Sequence, residues 1–303
     1  MNYQTENCLN MSLSEQSEGK LKYIKLENVK GFAPEKTFDC GQNFRFEPVK
    51  NSKHDCEFAG AAMGRFFSVA KSGDTLYIYN CDEKFYREKL SAYLGLDKDY
   101  DRIRADIAER CPTEYMLSAM EKGYGIRILK QEKWEALCSF IISQNNNIPR
   151  IKKIIRAISE KCGEEIDVTL MRDHGATEHE YSFPTPSAVL ALGEEGLREL
   201  RVGFRASYIY DAASKTAGGM SDLENISSLD TDNCISELCK IKGVGKKVAS
   251  CAALFSMEKY DSFPIDVWIR RTLNEKFPEN FDPAELGEYA GIAQQYMFYA
   301  ARF

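Results

Sequence analysis

Hydrophobic positions change their period partway along the chain. Between residues 21 and about 100 they fall in short β-branched or aromatic runs, as at 57–70 and in Thr75-Leu76-Tyr77-Ile78-Tyr79. Gly, Ser and Asp separate the runs, so the pattern predicts antiparallel strands with tight connections. From Tyr100 onward the period lengthens to that of helices, over 134–142, 148–158, 186–192, 206–216, 234–241, 246–257, 267–277 and 283–301. The stretch 162–186, rich in Asp, Glu and His with little periodicity, reads as a linker, and the polar residues 1–20 read as a flexible leader. The prediction is an α+β protein. An N-terminal antiparallel β domain with the first helix (21–100) packs on a two-part helical domain (101–303) that contains a helix, a hairpin and a helix at 234–258.

Composition removes some classes and leaves the rest open. The 303 residues can form two or three cooperating subdomains around a sizeable core. No run of ~18 apolar residues exists, so a membrane-spanning helix is not expected, and the N-terminus has no signal-peptide core. A net charge of −6 is awkward for a nucleic-acid partner only as a single number, because distribution decides binding. Arg150, Lys152, Lys153 and Arg156 form one basic cluster, and Lys240, Lys242, Lys246 and Lys247 another. The ten cysteines include no C-x-x-C pair, and the three histidines make no convincing zinc set.

The second basic cluster surrounds the most informative segment. In Lys242-Gly243-Val244-Gly245-Lys246 the glycines permit a tight turn, and the helix that follows presents free N–H groups and a positive dipole end. That suits a phosphate, although an ordinary helix-turn-helix corner with solvated lysines has the same signature. Lys247 and Cys251 are spaced i, i+4 and so share a helix face. A lysine nucleophile must lose its proton, which a like charge or a partly dry pocket favours. Asp266 follows a proline at an expected helix start, where it serves equally as a simple cap.

This segment resembles the helix-hairpin-helix glycosylase superfamily, and four further stretches extend the resemblance to its 8-oxoguanine DNA glycosylase branch. They are Cys40-Gly41-Gln42-Asn43-Phe44-Arg45-Phe46, Ser143-Gln144-Asn145-Asn146-Asn147-Ile148-Pro149-Arg150-Ile151, Val202-Gly203-Phe204-Arg205-Ala206 and Ala293-Gln294-Gln295-Tyr296-Met297-Phe298. The resemblance implies an N-terminal antiparallel sheet packed on a two-part helical glycosylase domain. It implies an enzyme that flips out 8-oxoguanine paired with cytosine in double-stranded DNA, excises it through a lysine Schiff base and cleaves the abasic strand by β-elimination. Lys247 and Asp266 would be catalytic. Gly41, Cys251, Gln294 and Phe298 would recognise the base, a charged Lys247–Cys251 pair matching its altered dipole. Asn145, Arg150 and Arg205 would hold the estranged cytosine, with Phe204 as the wedge.

No cofactor is implied beyond a structural monovalent or divalent cation at the hairpin backbone. The four-cysteine iron–sulfur loop of some relatives has no counterpart, because no cysteine follows Cys251. A monomer is expected, in a prokaryotic cytoplasm with the nucleoid or in a nucleus. Two positions depart from better-known members, which carry a His where this chain has Trp268 and an Asp where it has Ala301. An alkylpurine glycosylase of the same fold and a non-catalytic helix-hairpin-helix DNA-binding protein are the competing readings.

Overall fold

The computed structural model describes residues 11–303. Strands β1 (Ser12–Glu18), β2 (Leu21–Glu27), β3 (Glu47–Pro48), β4 (Cys56–Ala62), β5 (Arg65–Ser72) and β6 (Thr75–Tyr79) form one sheet in the order β1-β2-β6-β5-β4-β3. Every neighbouring pair is antiparallel. Alternation decides which residues face which core. Ile24, Leu26, Phe67, Val69, Leu76 and Ile78 point to one side, against Phe38 of α1 (Pro34–Phe38), Phe46 and Leu94. Ala59, Phe66, Ala70 and Tyr79 occupy the other.

Two expectations about segments bordering the sheet are revised. Residues 1–10 of the expected leader lie outside the described residues, but its remainder is not loose. β1 pairs with β2 along its whole length, from Ser12 opposite Glu27 to Glu18 opposite Leu21. Its side chains are almost all exposed, so no hydrophobic alternation announced it. Charged and polar residues on such an edge also discourage pairing with another chain. The expected linker 162–186 is structured too. β7 (Glu165–Ile166) and β8 (Glu180–Tyr181) pair with each other, and Val168 and Met171 bury against the second face of the sheet. His174 is fixed there, its Nδ1 2.7 Å from Glu57 Oε1 and its ring stacked on Tyr79 at 3.9 Å.

Short helices α2 (Glu83–Phe85) and α3 (Ser91–Tyr93) lead out of the sheet. Then come α4 (Tyr100–Arg110), α5 (Glu114–Lys122), α6 (Lys133–Ser143), α7 (Ile148–Cys162), α8 (Pro186–Glu199) and α9 (Ala206–Ala217). They are followed by α10 (Leu223–Ser228), α11 (Thr231–Leu238), α12 (Lys246–Ser256), α13 (Val267–Lys276) and α14 (Ala290–Arg302). α12 is buried from Val248 to Ser256. Its small residues Ala249, Ala252 and Ala253 let it lie close against α6 and α11. The helix expected over 283–301 is interrupted: a 3₁₀ turn, Pro283–Tyr289, ends around Gly287 at φ +69°, and α14 starts afresh.

Candidate active site

The hairpin between α11 and α12 is held from below by Ile241 and Val244, both buried, and closed by Val244 N–H donating to Ile241 O at 3.0 Å. Gly243 has φ +76°, and a Cβ there would stand 2.3 Å from the ring of Tyr208 on α9. Only glycine fits that turn without displacing Tyr208. The Lys242 N–H donates to Asp211 Oδ2 at 2.8 Å, which ties the hairpin to α9. Gly245 caps α12 without a side chain, so the first turn presents its N–H groups between exposed Lys242 and Lys246. Among the described residues the carbonyls of Lys242, Gly243 and Val244 accept no hydrogen bond.

One turn into α12 the chemistry-bearing residues converge. Lys247, Cys251, Asp266, Gln294, Phe298 and Gly41 line one small cavity of about 60 Å³, together with Phe140. Four elements deliver them: the loop after α1, α12, the start of α13 and α14. The Lys247 ammonium stands 5.7 Å from the centre of the Phe140 ring. Asp266 does cap α13, its Oδ1 accepting from Ile269 N–H at 2.8 Å, but among the described residues Oδ2 accepts nothing. Capping therefore leaves one carboxylate oxygen of this cavity-lining residue without a partner among the described residues.

Gln294 is 4% exposed, and its Oε1 has no hydrogen-bond partner. A buried acceptor left unpaired costs about 1–3 kcal/mol, so the cavity wall carries an unmet demand for a donor. Gly41, at φ +81°, turns its backbone against Phe298, whose Cε1 is 3.4 Å from where a Cβ would be. The surroundings of Cys251 work against the charged pair expected of Lys247 and Cys251. Burial pushes the Cys251 thiol above its ordinary pKa, against the pull of the neighbouring ammonium, and Asp266 pushes the same way as burial.

A second surface adjoins the hairpin. The three asparagines divide: Asn147 Oδ1 caps α7 through Arg150 N–H at 3.0 Å, and Asn146 Nδ2 donates to Ile142 O at 3.1 Å. Asn145, at φ +47°, is exposed. Phe204 is 50% exposed and Arg150 is exposed. Arg205 differs from expectation, being turned inward and only 2% exposed. Its guanidinium donates to the carbonyls of Gln144, Asn145 (3.0 Å) and Val202 (3.3 Å). It braces the two loops instead of presenting a free fork. Phe204 meets Tyr208 edge to face at 5.8 Å, and Tyr208 touches the hairpin at Gly243. The asparagine loop thus connects to the hairpin through Arg205, Phe204 and Tyr208, whereas Lys152 and Arg156 of the first basic cluster pair with Glu47 and Glu160.

Sequence reasoning missed Phe140, Tyr208 and Arg302, whose Nη1 lies 3.7 Å from the Cβ position at Gly41. Phe140 and Tyr208 sit in ordinary helical periods and carry no signal of a site.

With the geometry in place, comparison with known proteins is informative. Residues 24–137 match the model of the 8-oxoguanine DNA glycosylase N-terminal domain, and residues 138–285 match the HhH-GPD superfamily base excision DNA repair protein model. The fold superposes with a TM-score of 0.85 on the Clostridium acetobutylicum 8-oxoguanine glycosylase/lyase in complex with double-stranded DNA containing cytosine opposite 8-oxoguanine. That match has 35% identity and covers 96% of this chain and 97% of the other. The chain belongs to the 8-oxoguanine DNA glycosylase family.

An Arabidopsis thaliana N-glycosylase/DNA lyase is 28% identical over 290 residues, 87% of this chain and 76% of the relative. A 3-methyladenine DNA glycosylase from Archaeoglobus fulgidus, at 19% identity and a TM-score of 0.62 over 95% of this chain and 90% of that one, shares the fold alone. As a member of the family the chain keeps its two departures in view. Trp268 is 44% exposed on the first turn of α13, next to Val267 at 81%. Ala301 is partly buried near the end of α14. No helix among the described residues is long and apolar enough to cross a membrane.

Proposed function

We propose that this chain is a bifunctional 8-oxoguanine DNA glycosylase/lyase. The carrying observation is the convergence of Lys247, Asp266 and the partnerless Gln294 carboxamide oxygen on one cavity beside a phosphate-binding hairpin. A base inside a duplex is out of reach of such a cavity, so the nucleotide must be extruded. The hairpin N–H groups and Lys242 and Lys246 hold the backbone. Phe204 fills the vacated space, where stacking is worth ~1–3 kcal/mol per base. Asn145 and Arg150 donate to the estranged cytosine, and Arg205 supports them through the carbonyls it binds.

In the cavity, Phe298 and Cys251 sandwich the base and Gln294 Oε1 accepts from its Watson–Crick edge. The Gly41 carbonyl accepts from N7–H, a hydrogen that guanine lacks. Lys247 Nζ, once deprotonated, attacks C1′ and the C1′–N9 bond breaks, its electron pair leaving with the base. Asp266 Oδ2 stabilises the positive charge developing on the sugar. Opening of the sugar ring yields the Schiff base, and loss of a C2′ proton expels the 3′ phosphate.

The free carbonyls of Lys242, Gly243 and Val244 are the hard oxygen ligands that a structural cation at the DNA backbone would take, and no step depends on one. The cavity is completed within one chain, which supports a monomer. A chromosomal DNA substrate fits a prokaryotic cytoplasm with its nucleoid, or a nucleus.

The test is a labelled duplex with one 8-oxoguanine opposite C, A, G or T, incubated with sodium borohydride. The expected result is a covalent protein–DNA adduct, strongest opposite C. Base loss from alkylated DNA with no adduct would instead assign the lysine-independent alkylpurine branch. The absence of both would leave a DNA-binding protein without chemistry.

A further inference from the structure

Around Gly41 the backbone is held by buried carboxamides, one of which, Gln295, also borders the cavity. Gln295, 2% exposed on α14, donates from Nε2 to Cys40 O at 3.0 Å. Gln131, 7% exposed, donates from Nε2 to Gln42 O at 2.8 Å. The Gln42 side chain is itself fixed, donating to Thr37 O at 2.9 Å and Arg127 O at 2.8 Å and accepting from Leu129 N–H at 2.9 Å. The carbonyls before and after Gly41 are therefore engaged, whereas among the described residues the Gly41 carbonyl accepts no hydrogen bond.

That pattern has a consequence for a glycine. Its φ and ψ are otherwise the softest in the chain, and the direction of its carbonyl follows from the peptide plane between residues 41 and 42. Clamping Cys40 O fixes the plane on one side, and clamping Gln42 fixes the other. The clamp on Cys40 originates from the residue directly after Gln294 on α14. One helix turn thus supplies both the partnerless carboxamide and the residue that aims the neighbouring carbonyl.

We infer that Gln295 is a positioning residue for lesion discrimination, acting through the Cys40 carbonyl to hold the Gly41 carbonyl where it accepts from N7–H of 8-oxoguanine and repels the bare N7 of guanine. This rests on the reading of the cavity as the 8-oxoguanine pocket. Gln295 borders the cavity, but in this scheme it acts through the backbone and takes no part in the chemistry. A preorganised acceptor contributes specificity because it cannot turn away from the wrong base.

Gln295→Met tests the inference, since methionine is unbranched, of similar length and lacks the donor. Three rates or affinities are compared with wild type: single-turnover excision of 8-oxoguanine opposite cytosine, cleavage of a preformed abasic site, and binding of a tetrahydrofuran-containing duplex. The last two need no base in the cavity and report any general damage to the fold. Excision is expected to fall about tenfold, the cost of ~1.4 kcal/mol, while the other two stay within about twofold. In a Lys247→Gln background, the preference for 8-oxoguanine:cytosine over guanine:cytosine duplex should narrow when Gln295→Met is added. Unchanged excision and preference, or a parallel loss of all three activities, would overturn the positioning role. Failure of the wild type to excise 8-oxoguanine would instead overturn the substrate assignment on which it rests.

Discussion

The base cavity and the neighbouring partner-strand surface are built in opposite ways. The cavity draws on helix faces: Lys247 and Cys251 lie one turn apart on α12, Gln294 and Phe298 one turn apart on α14, each helix packed along most of its length. The partner-strand surface draws on the loop after α6, the first turn of α7 and the turn before α9, braced by the buried Arg205 guanidinium. Side chains on packed helices are fixed by the same contacts that fold the protein. Loop residues must be fixed by something added, and here Arg205 is that addition. The contrast suits the two tasks, since chemistry at C1′ needs sub-ångström placement whereas a splayed partner base needs a surface that accommodates it.

The largest effect that could break this comparison is at Lys247. Lys247→Gln should abolish excision and borohydride trapping while binding of 8-oxoguanine:cytosine duplex stays within a few-fold. Full base release by this variant would remove the nucleophile from the scheme. Next comes Asp266→Asn. Asparagine caps a helix about as well as aspartate, so the melting temperature should hardly move while the excision rate falls on the order of a hundredfold or more. An unchanged rate would reduce Asp266 to its cap.

The surface gives a sharper contrast within itself. Arg205→Ala strands the carbonyls of Gln144, Asn145 and Val202, which at about 1–3 kcal/mol predicts a Tm lowered by a few degrees together with weaker cytosine preference. Arg150→Ala should weaken that preference with no change in Tm. Equal Tm for both variants would show that Arg205 does not brace the loops.

The smallest effect concerns a buried carboxyl on α6, the helix that also carries Phe140. Glu135 on α6 is buried, 4.0 Å from Arg45, and burial pushes its carboxyl up to about 7, partly offset by the arginine. A carboxyl whose folded pKa is raised binds more protons folded than unfolded. Its contribution to stability is therefore full below the unfolded value and is lost as pH rises to about 7. Tm should decline between about pH 5 and pH 7, and Glu135→Gln should flatten part of that decline. A wild-type profile identical to the variant's would mean that Glu135 is ionised in the fold.

Much of this was legible in the chain, and the failures have physical causes. The switch from strand to helix periodicity is a local property and located most elements. It passed over β1, an exposed edge strand with no buried alternation, and over 162–186, where two apolar residues against the sheet are too few to set a period. In the site, Lys247, Cys251, Gln294 and Phe298 could be paired by helical spacing alone. Arg205 could not be read, because burial of a guanidinium depends on carbonyls 60 and 61 residues away.

The sequence by itself determined the strand and helix character, the turn that requires Gly243, and the pairing of residues one helical turn apart, since each follows from contacts within a few residues. Tertiary structure alone decided that four distant segments close on one cavity, that burial pushes the Cys251 thiol upward, and that Arg205 braces where it was expected to reach. It alone decided that Gln295 grips the backbone beside Gly41. Those outcomes depend on burial and on partners up to 255 residues apart, and no local pattern encodes them.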